Sequence, residues 1–173
     1  MSVFYRVVGW IVEERGVADE EDRGLHLTTQ FNVKVFCPDG KVVWSAATLI
    51  DQGFSENQKD FYAENLSITL SEDGSTYTIK SAADAEVMVN LTIKNVAPGF
   101  KVGKDGKTHY GTDRENPWGS MRHIFWPRAK SEGVVIVGED SIDCAGKAVF
   151  IMALQGMKPH HAGTYKNSFL VST

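Results

Sequence analysis

The feature that most limits what this chain can fold into is a strict alternation of apolar and polar residues, interrupted at short intervals by glycine-centred turns. Leu25, Leu27, Phe31, Val33 and Val35 share one parity, while His26, Thr28, Gln30, Asn32 and Lys34 share the other. A period of two sends successive side chains to opposite faces, so this stretch predicts a half-buried strand. It stops at Pro38-Asp39-Gly40, whose Asp-Gly pair suits the positive φ angles of a hairpin, and residues 41–45 read as the returning strand. The same grammar recurs further on. Leu66, Ile68 and Leu70 alternate with Ser67 and Thr69, a turn follows at Ser71-Glu72-Asp73-Gly74, and Tyr77 and Ile79 begin the return with Thr76, Thr78 and Lys80 facing away. Val87, Val89, Leu91 and Ile93 predict the clearest strand of all. Shorter strands are expected over residues 99–102, 124–131, 133–137 and 147–153, with turns at Lys104-Asp105-Gly106 and Gly138-Glu139-Asp140. Residues 3–12 are strand-like, and one short helix is expected near residues 55–62.

Strands at this density describe an all-β antiparallel meander, which in a chain of this length closes into a barrel or folds into a sandwich. Barrel closure is the preferred reading because it removes sheet edges that template aggregation. The 173 residues suit a single domain, and 42% hydrophobic with 23% charged residues matches a globular protein. Sixteen glycines beside 18 aromatic residues fit turns and strands better than helices. A formal charge of −4 gives no support to a nucleic-acid partner, which calls for a basic surface. The opening residues lack a signal-peptide pattern, and no apolar run reaches the roughly 18 to 20 residues of a spanning helix. Cys37 and Cys144 lie far apart and without metal-ligand spacing, so both read as structural thiols. Two glycosylation sequons, at Asn65 and Asn90, fall inside strand patterns and are expected to be unused.

The densest motif is Asn116-Pro117-Trp118-Gly119-Ser120-Met121-Arg122-His123-Ile124-Phe125-Trp126-Pro127-Arg128. Two readings stand side by side. In one it walls or rims a pocket: Trp118, Met121, Phe125 and Trp126 supply apolar surface, and Arg122, His123 and Arg128 hydrogen-bond a polar head group. In the other these side chains simply fill one end of a barrel. A second constellation runs from Ala153 through Met157 to His160 and His161. Adjacent histidines in a strand point to opposite sides, so a loop hydrogen-bonding role outweighs a metal site. Catalysis finds little support, with no G-x-S-x-G elbow and no reactive-thiol motif. Six carboxylates with Arg15 between Glu13 and Asp22 read as a solvated loop, and Gly103-Lys104-Asp105-Gly106-Lys107 reads as a hairpin rather than a phosphate cradle.

At these motifs a family resemblance becomes specific. Gly24-Leu25-His26-Leu27-Thr28-Thr29-Gln30-Phe31-Asn32, Asn65-Leu66-Ser67-Ile68-Thr69-Leu70-Ser71-Glu72-Asp73-Gly74, Ala97-Pro98-Gly99-Phe100-Lys101-Val102-Gly103, the Asn116 block and residues 153–161 occur in the order and spacing of the fungal survival factor family. The chain resembles that family over residues 24–162, with residues 1–23 divergent and 163–173 ending where the family continues. The resemblance implies a cytosolic protein of two tandem lipocalin-like (calycin) barrels that binds ceramide, carries it from endoplasmic reticulum to Golgi, and is needed to survive oxidative and cold stress. Family members also carry a leading amphipathic helix that attaches to membranes, where this chain has its strand-like opening.

The expectation is therefore one lipocalin-like barrel, equivalent to the family's first, incomplete at its edges and lacking the second barrel. Its function would be intracellular lipid binding and transfer, in the cytoplasm with transient contact to endoplasmic reticulum and Golgi membranes and access to the nucleus. The expected ligand is ceramide or a similar apolar lipid, held by Trp118, Met121, Arg122, His123, Phe125, Trp126 and Met157, without catalytic residues, cofactor or metal. Two alternatives are an enzyme, since related tandem barrels include carotenoid hydratases, and a shortened paralogue that binds nothing. An acid among Glu86, Asp113 and Glu115 buried against a cavity would favour the enzyme.

Overall fold

In a computed structural model the backbone is described for residues 6–15, 27–57, 59–104 and 106–157, and side chains for those between 29 and 152. Thirteen strands and no helix are found among the described residues: β1 Arg6–Arg15, β2 Leu27–Phe36, β3 Val42–Thr48, β4 Gly53–Phe54, β5 Phe61–Ala63, β6 Leu66–Leu70, β7 Thr76–Ser81, β8 Val87–Asn95, β9 Phe100–Lys101, β10 Thr108–Tyr110, β11 Gly119–Val137, β12 Asp140–Asp143 and β13 Gly146–Met157. They form two compact units, one of Met1–Lys94 with Ser131–Gly146 and another of Asn95–Lys130 with Lys147–Thr173.

In the first unit, β1, β2 and β3 make an antiparallel sheet with β2 in the centre. The alternation predicted from Leu25 produces β2, and Phe31, Val33 and Val35 are all buried. Pro38-Asp39-Gly40 is the expected turn: Gly40 takes φ +88° and the Lys41 amide donates to the Asp39 carboxylate at 2.9 Å. A second sheet runs β4 to β8 as a meander, continued by the C-terminal part of β11 and by β12. Register aligns Phe61, Ile68, Ile79 and Leu91 across β5 to β8. The β2 residues pack with Phe61, Leu66, Val87, Val89, Leu91, Val135 and Ile142 into one core. Each such side chain, fully buried, stabilises by about 1.5–3 kcal/mol. Cys37 and Cys144 are free thiols packed against that core, and burial pushes the Cys144 thiol up from its ordinary value.

In the second unit the N-terminal part of β11 is the axis. β9 pairs with it at Phe100↔Phe125 and Lys101↔Ile124, β10 at Tyr110↔Gly119 and Thr108↔Met121, and β13 also pairs with β11.

Several expectations change. The described residues of 55–62 form no helix: Ser55 and Asp60 close a tight loop, with the Asp60 amide donating to Ser55 Oγ at 3.0 Å and the Ser55 amide to the Asp60 carbonyl at 3.0 Å. The Ser55 and Asn57 side chains accept from the Asp60 and Lys59 backbone amides, and such local bonds compete with helix hydrogen bonding. Residues 124–131 and 133–137 belong to one strand, because Gly133 carries β11 onward with φ +113° instead of ending it. The Gly106 amide donates to the Gly103 carbonyl at 3.2 Å, but among the described residues β9 and β10 both pair with β11 and not with each other, so they are not a hairpin. Glu13, Glu14 and Arg15 continue β1 opposite Thr29, Thr28 and Leu27; the remainder of that acidic stretch lies outside the described residues. Asn65 sits in the turn before β6 rather than within a strand.

Two positions carry predictions. A Cβ at Gly133 would fall 2.2 Å from the Asn90 carbonyl oxygen, while one at Gly138 (φ +59°) meets nothing within 4 Å. Gly133→Ala should destabilise by about 2–4 kcal/mol and Gly138→Ala by about 1 kcal/mol in urea unfolding, since only the first adds a backbone clash to left-handed strain.

The second position is Asp84, whose carboxylate accepts from the buried Ser45 hydroxyl and from the Glu86 amide at 2.7 Å. The Ser45 bond, then the backbone bonds, hold its carboxyl below its ordinary value. A depressed pKa contributes stability above the unfolded value, near 3.9, that is lost as pH falls through the folded value. Asp84→Asn should cost about 1 kcal/mol at pH 7 and progressively less below about pH 4; an unchanged difference at pH 2 would contradict this.

Candidate ligand-binding surfaces

The Asn116 block enters the second unit as a loop up to Trp118 and then as the start of β11. A strand divides it by parity. Met121, His123 and Phe125 fall on one face, Arg122, Ile124 and Trp126 on the other. The first face is an aromatic ladder. Phe100 stacks on Phe125 with centroids 4.9 Å apart and His123 lies 5.7 Å from Phe125. Tyr110 stacks on Trp118 at 5.4 Å and directs its hydroxyl to Met121 Sδ at 3.5 Å. Met121 is buried, whereas Phe100 is exposed over half its surface and Phe125 is half-buried. The second face centres on Trp126, buried and 5.3 Å from Phe150 of β13. Gly99 makes room for it: a Cβ there would sit 2.8 Å from Trp126 Cδ1 and 2.9 Å from the Phe125 carbonyl.

The structure thus brings Trp118, Met121, His123 and Phe125 together and sets Arg122 and Trp126 on the opposite face. Arg122 is half-buried on that face, and Arg128 is exposed. The side chain of Met157, together with His160 and His161, lies outside the described residues. Among the described residues no group of His, Cys, Asp and Glu has the proximity to hold a metal.

The acids that would favour catalysis are not poised for it. Glu86, Asp113 and Glu115 are all exposed. Asp113 accepts from the Asn116 side-chain amide at 3.1 Å and the Glu115 backbone amide at 2.9 Å, and these bonds lower its pKa. A carboxyl with a lowered pKa is ionised at neutral pH and has no proton to give a substrate double bond.

A second surface, absent from the sequence reading, lies in the first unit on the sheet face away from the core. It is an open groove of about 630 Å³. Tyr62, Ser67, Lys80 and Asn90 form one cross-strand row along it, and Met88, Val134 and Ile136 supply an apolar side. The signal was present: Met88 is apolar at a parity where the β8 alternation calls for a polar residue, and residues 134–137 are apolar at both parities.

The lipocalin-like fold is shared with known proteins. The kievitone hydratase of Nectria haematococca superposes with a TM-score of 0.64 at 15% identity, covering 90% of this chain and 44% of that one. In sequence, residues 22–171 match the Svf1 family. The chain belongs to the Svf1 family. Among Svf1 relatives, the ceramide-binding protein svf-1 of Neurospora crassa is 51% identical over 146 residues, covering 83% of this chain and 38% of the relative. The ceramide-binding protein svf1 of Aspergillus fumigatus is 49% identical, covering 83% of this chain and 37% of the relative. This chain therefore spans well under half the length of those Svf1 proteins.

The two faces of β11 predict different mutational costs. Trp126→Ala removes a buried ring and should cost about 3–5 kcal/mol, while Phe125→Ala, at a half-exposed stack, should cost about 1–2 kcal/mol. Equal losses in thermal unfolding would refute the division.

Proposed function

We propose that this chain is a non-enzymatic lipid-binding module that takes ceramide or a similar long-chain lipid, as part of an intracellular carrier. The observation that carries this reading is the 51% identity to a Neurospora protein named for ceramide binding, in a chain with a lipocalin-like fold. An apolar β-sheet ligand site needs no chemistry beyond burial: about 0.8 kcal/mol per methylene gives roughly 6 kcal/mol for eight of them before ordering costs. Within the second unit the ladder of Phe100, Phe125 and His123 with Met121 and Trp118 is the proposed wall, since it combines stacked rings with partial exposure. Arg122 and Trp126 are proposed to shape the same strand from its other face.

A role in oxidative stress survival follows only if lipid carriage is the activity lost in stress-sensitive cells. The carrier reading also calls for transient contact with membranes in the cytoplasm. Trp44, 65% exposed, supports that contact: its ring and that of Phe36 lie 5.7 Å and 5.1 Å from the Lys34 ammonium. An exposed Trp beside a cation suits the interface of an anionic bilayer.

The chain purified from a eukaryotic host should co-purify with sphingolipid on extraction and mass spectrometry. Phe125→Ala should lower that yield severalfold while far-UV circular dichroism stays unchanged. A folded chain without any long-chain lipid would overturn the binding role, and undiminished lipid in the variant would move the site elsewhere.

A further inference from the structure

We propose that the groove on the outer sheet face of the first unit is a separate binding site for a single-chain anionic amphiphile, with a long-chain carboxylate as the fitting chemistry. The row Tyr62, Ser67, Lys80 and Asn90 is set by the β5 to β8 register. It offers two hydroxyls, an amide and an ammonium within neighbouring strands about 4.8 Å apart. All four can donate, and one carries a positive charge, which is the donor set a carboxylate head recognises. β11 extends the apolar part. Gly138 donates to the Glu86 carbonyl at 2.8 Å, and Gly133 passes against Asn90. Ile136 and Val134 are therefore held alongside Met88 and Asn90. A head at Lys80 and Ser67 leaves a tail running across Met88, Val134 and Ile136. The groove's roughly 630 Å³ lies within the usual range for small-molecule sites.

Glu64 also borders the groove. It sits in the β5–β6 turn, two residues beyond the Tyr62–Ser67 pair, so it is about 7 Å further along the strands than Lys80 and on the side away from β11. It therefore flanks the head position on its Ser67 side and lies off the tail path, and Lys80, nearer β11, is the cation that holds the carboxylate away from it. Ceramide has no anionic group, which separates this site from the proposed function: either can fail alone.

The test is fluorescence titration of the intact chain with a conjugated-polyene C18 fatty acid, followed by competition with palmitate and with methyl palmitate. Palmitate should displace the probe and its methyl ester should do so at least tenfold less well. Lys80→Gln should weaken probe binding about tenfold, a loss typical of a charge-assisted hydrogen bond, while Lys41→Gln on the distant Asp39 turn should not. Met88→Ser should weaken binding severalfold, as expected for lost methylene contacts at up to about fourfold each. Circular dichroism melts of each variant exclude unfolding, because Lys80 and Met88 are exposed. Equal competition by acid and ester, equal effects of the two lysine variants, or no probe binding by the folded chain would each overturn the proposal.

Discussion

The first unit depends on one packing event, the burial of the odd-numbered face of β2 against the second sheet. Phe31, Val33 and Val35 meet residues from β5, β6, β8, β11 and β12. A strand shows a face only through its parity, so a shift of one residue would exchange Val33 and Val35 for Lys34 and Phe36 and put an ammonium in the core. The Asp39–Gly40 turn and the Thr29 carbonyl that accepts from Leu49 at 2.8 Å hold β2 and β3 against such a slip. Val135, with no exposure at all, marks where the meander closes over that core.

Close packing leaves little tolerance where chain segments approach one another, and glycine takes those places. At Gly133 the neighbour is backbone, the Asn90 carbonyl; at Gly99 it is the Trp126 ring and the Phe125 carbonyl. The two differ in what they make possible. Gly133 lets β11 continue past β8 as a single strand, while Gly99 lets a loop pass over the largest buried ring of the second unit.

Much of the fold was legible in the residues because period two and Asp-Gly or x-Gly turns are local signals. β2, β6, β7 and β8 follow from alternation and β3 from the turn before it, and Gly40, Gly74 and Gly138 take the positive φ that their turns require. The missed helix over residues 55–62 shows the limit: its helix formers are outweighed by the Ser55 and Asn57 side chains accepting from the Asp60 and Lys59 amides, which composition does not reveal. The break expected between residues 131 and 133 failed for a related reason, since a glycine's role depends on a neighbour strand distant in sequence.

The candidate site was legible as a list of residues and not as a geometry. Trp118, Met121, His123, Phe125 and Trp126 belong to one segment, yet a strand cannot present consecutive residues to one ligand. Only the register with β9 and β10 assigns the aromatic ladder to one face, and only burial separates Trp126, which packs inward, from Phe125, which retains contact with solvent. The groove of the first unit is masked in the sequence for the opposite reason. Polar parity in a strand is read as solvated, so Ser67, Lys80 and Asn90 looked like surface until Met88 and the doubly apolar run of β11 placed hydrophobic contact beside them. A sheet with one face in the core can therefore still bind on its other face, and an apolar residue at polar parity is the sequence mark of it.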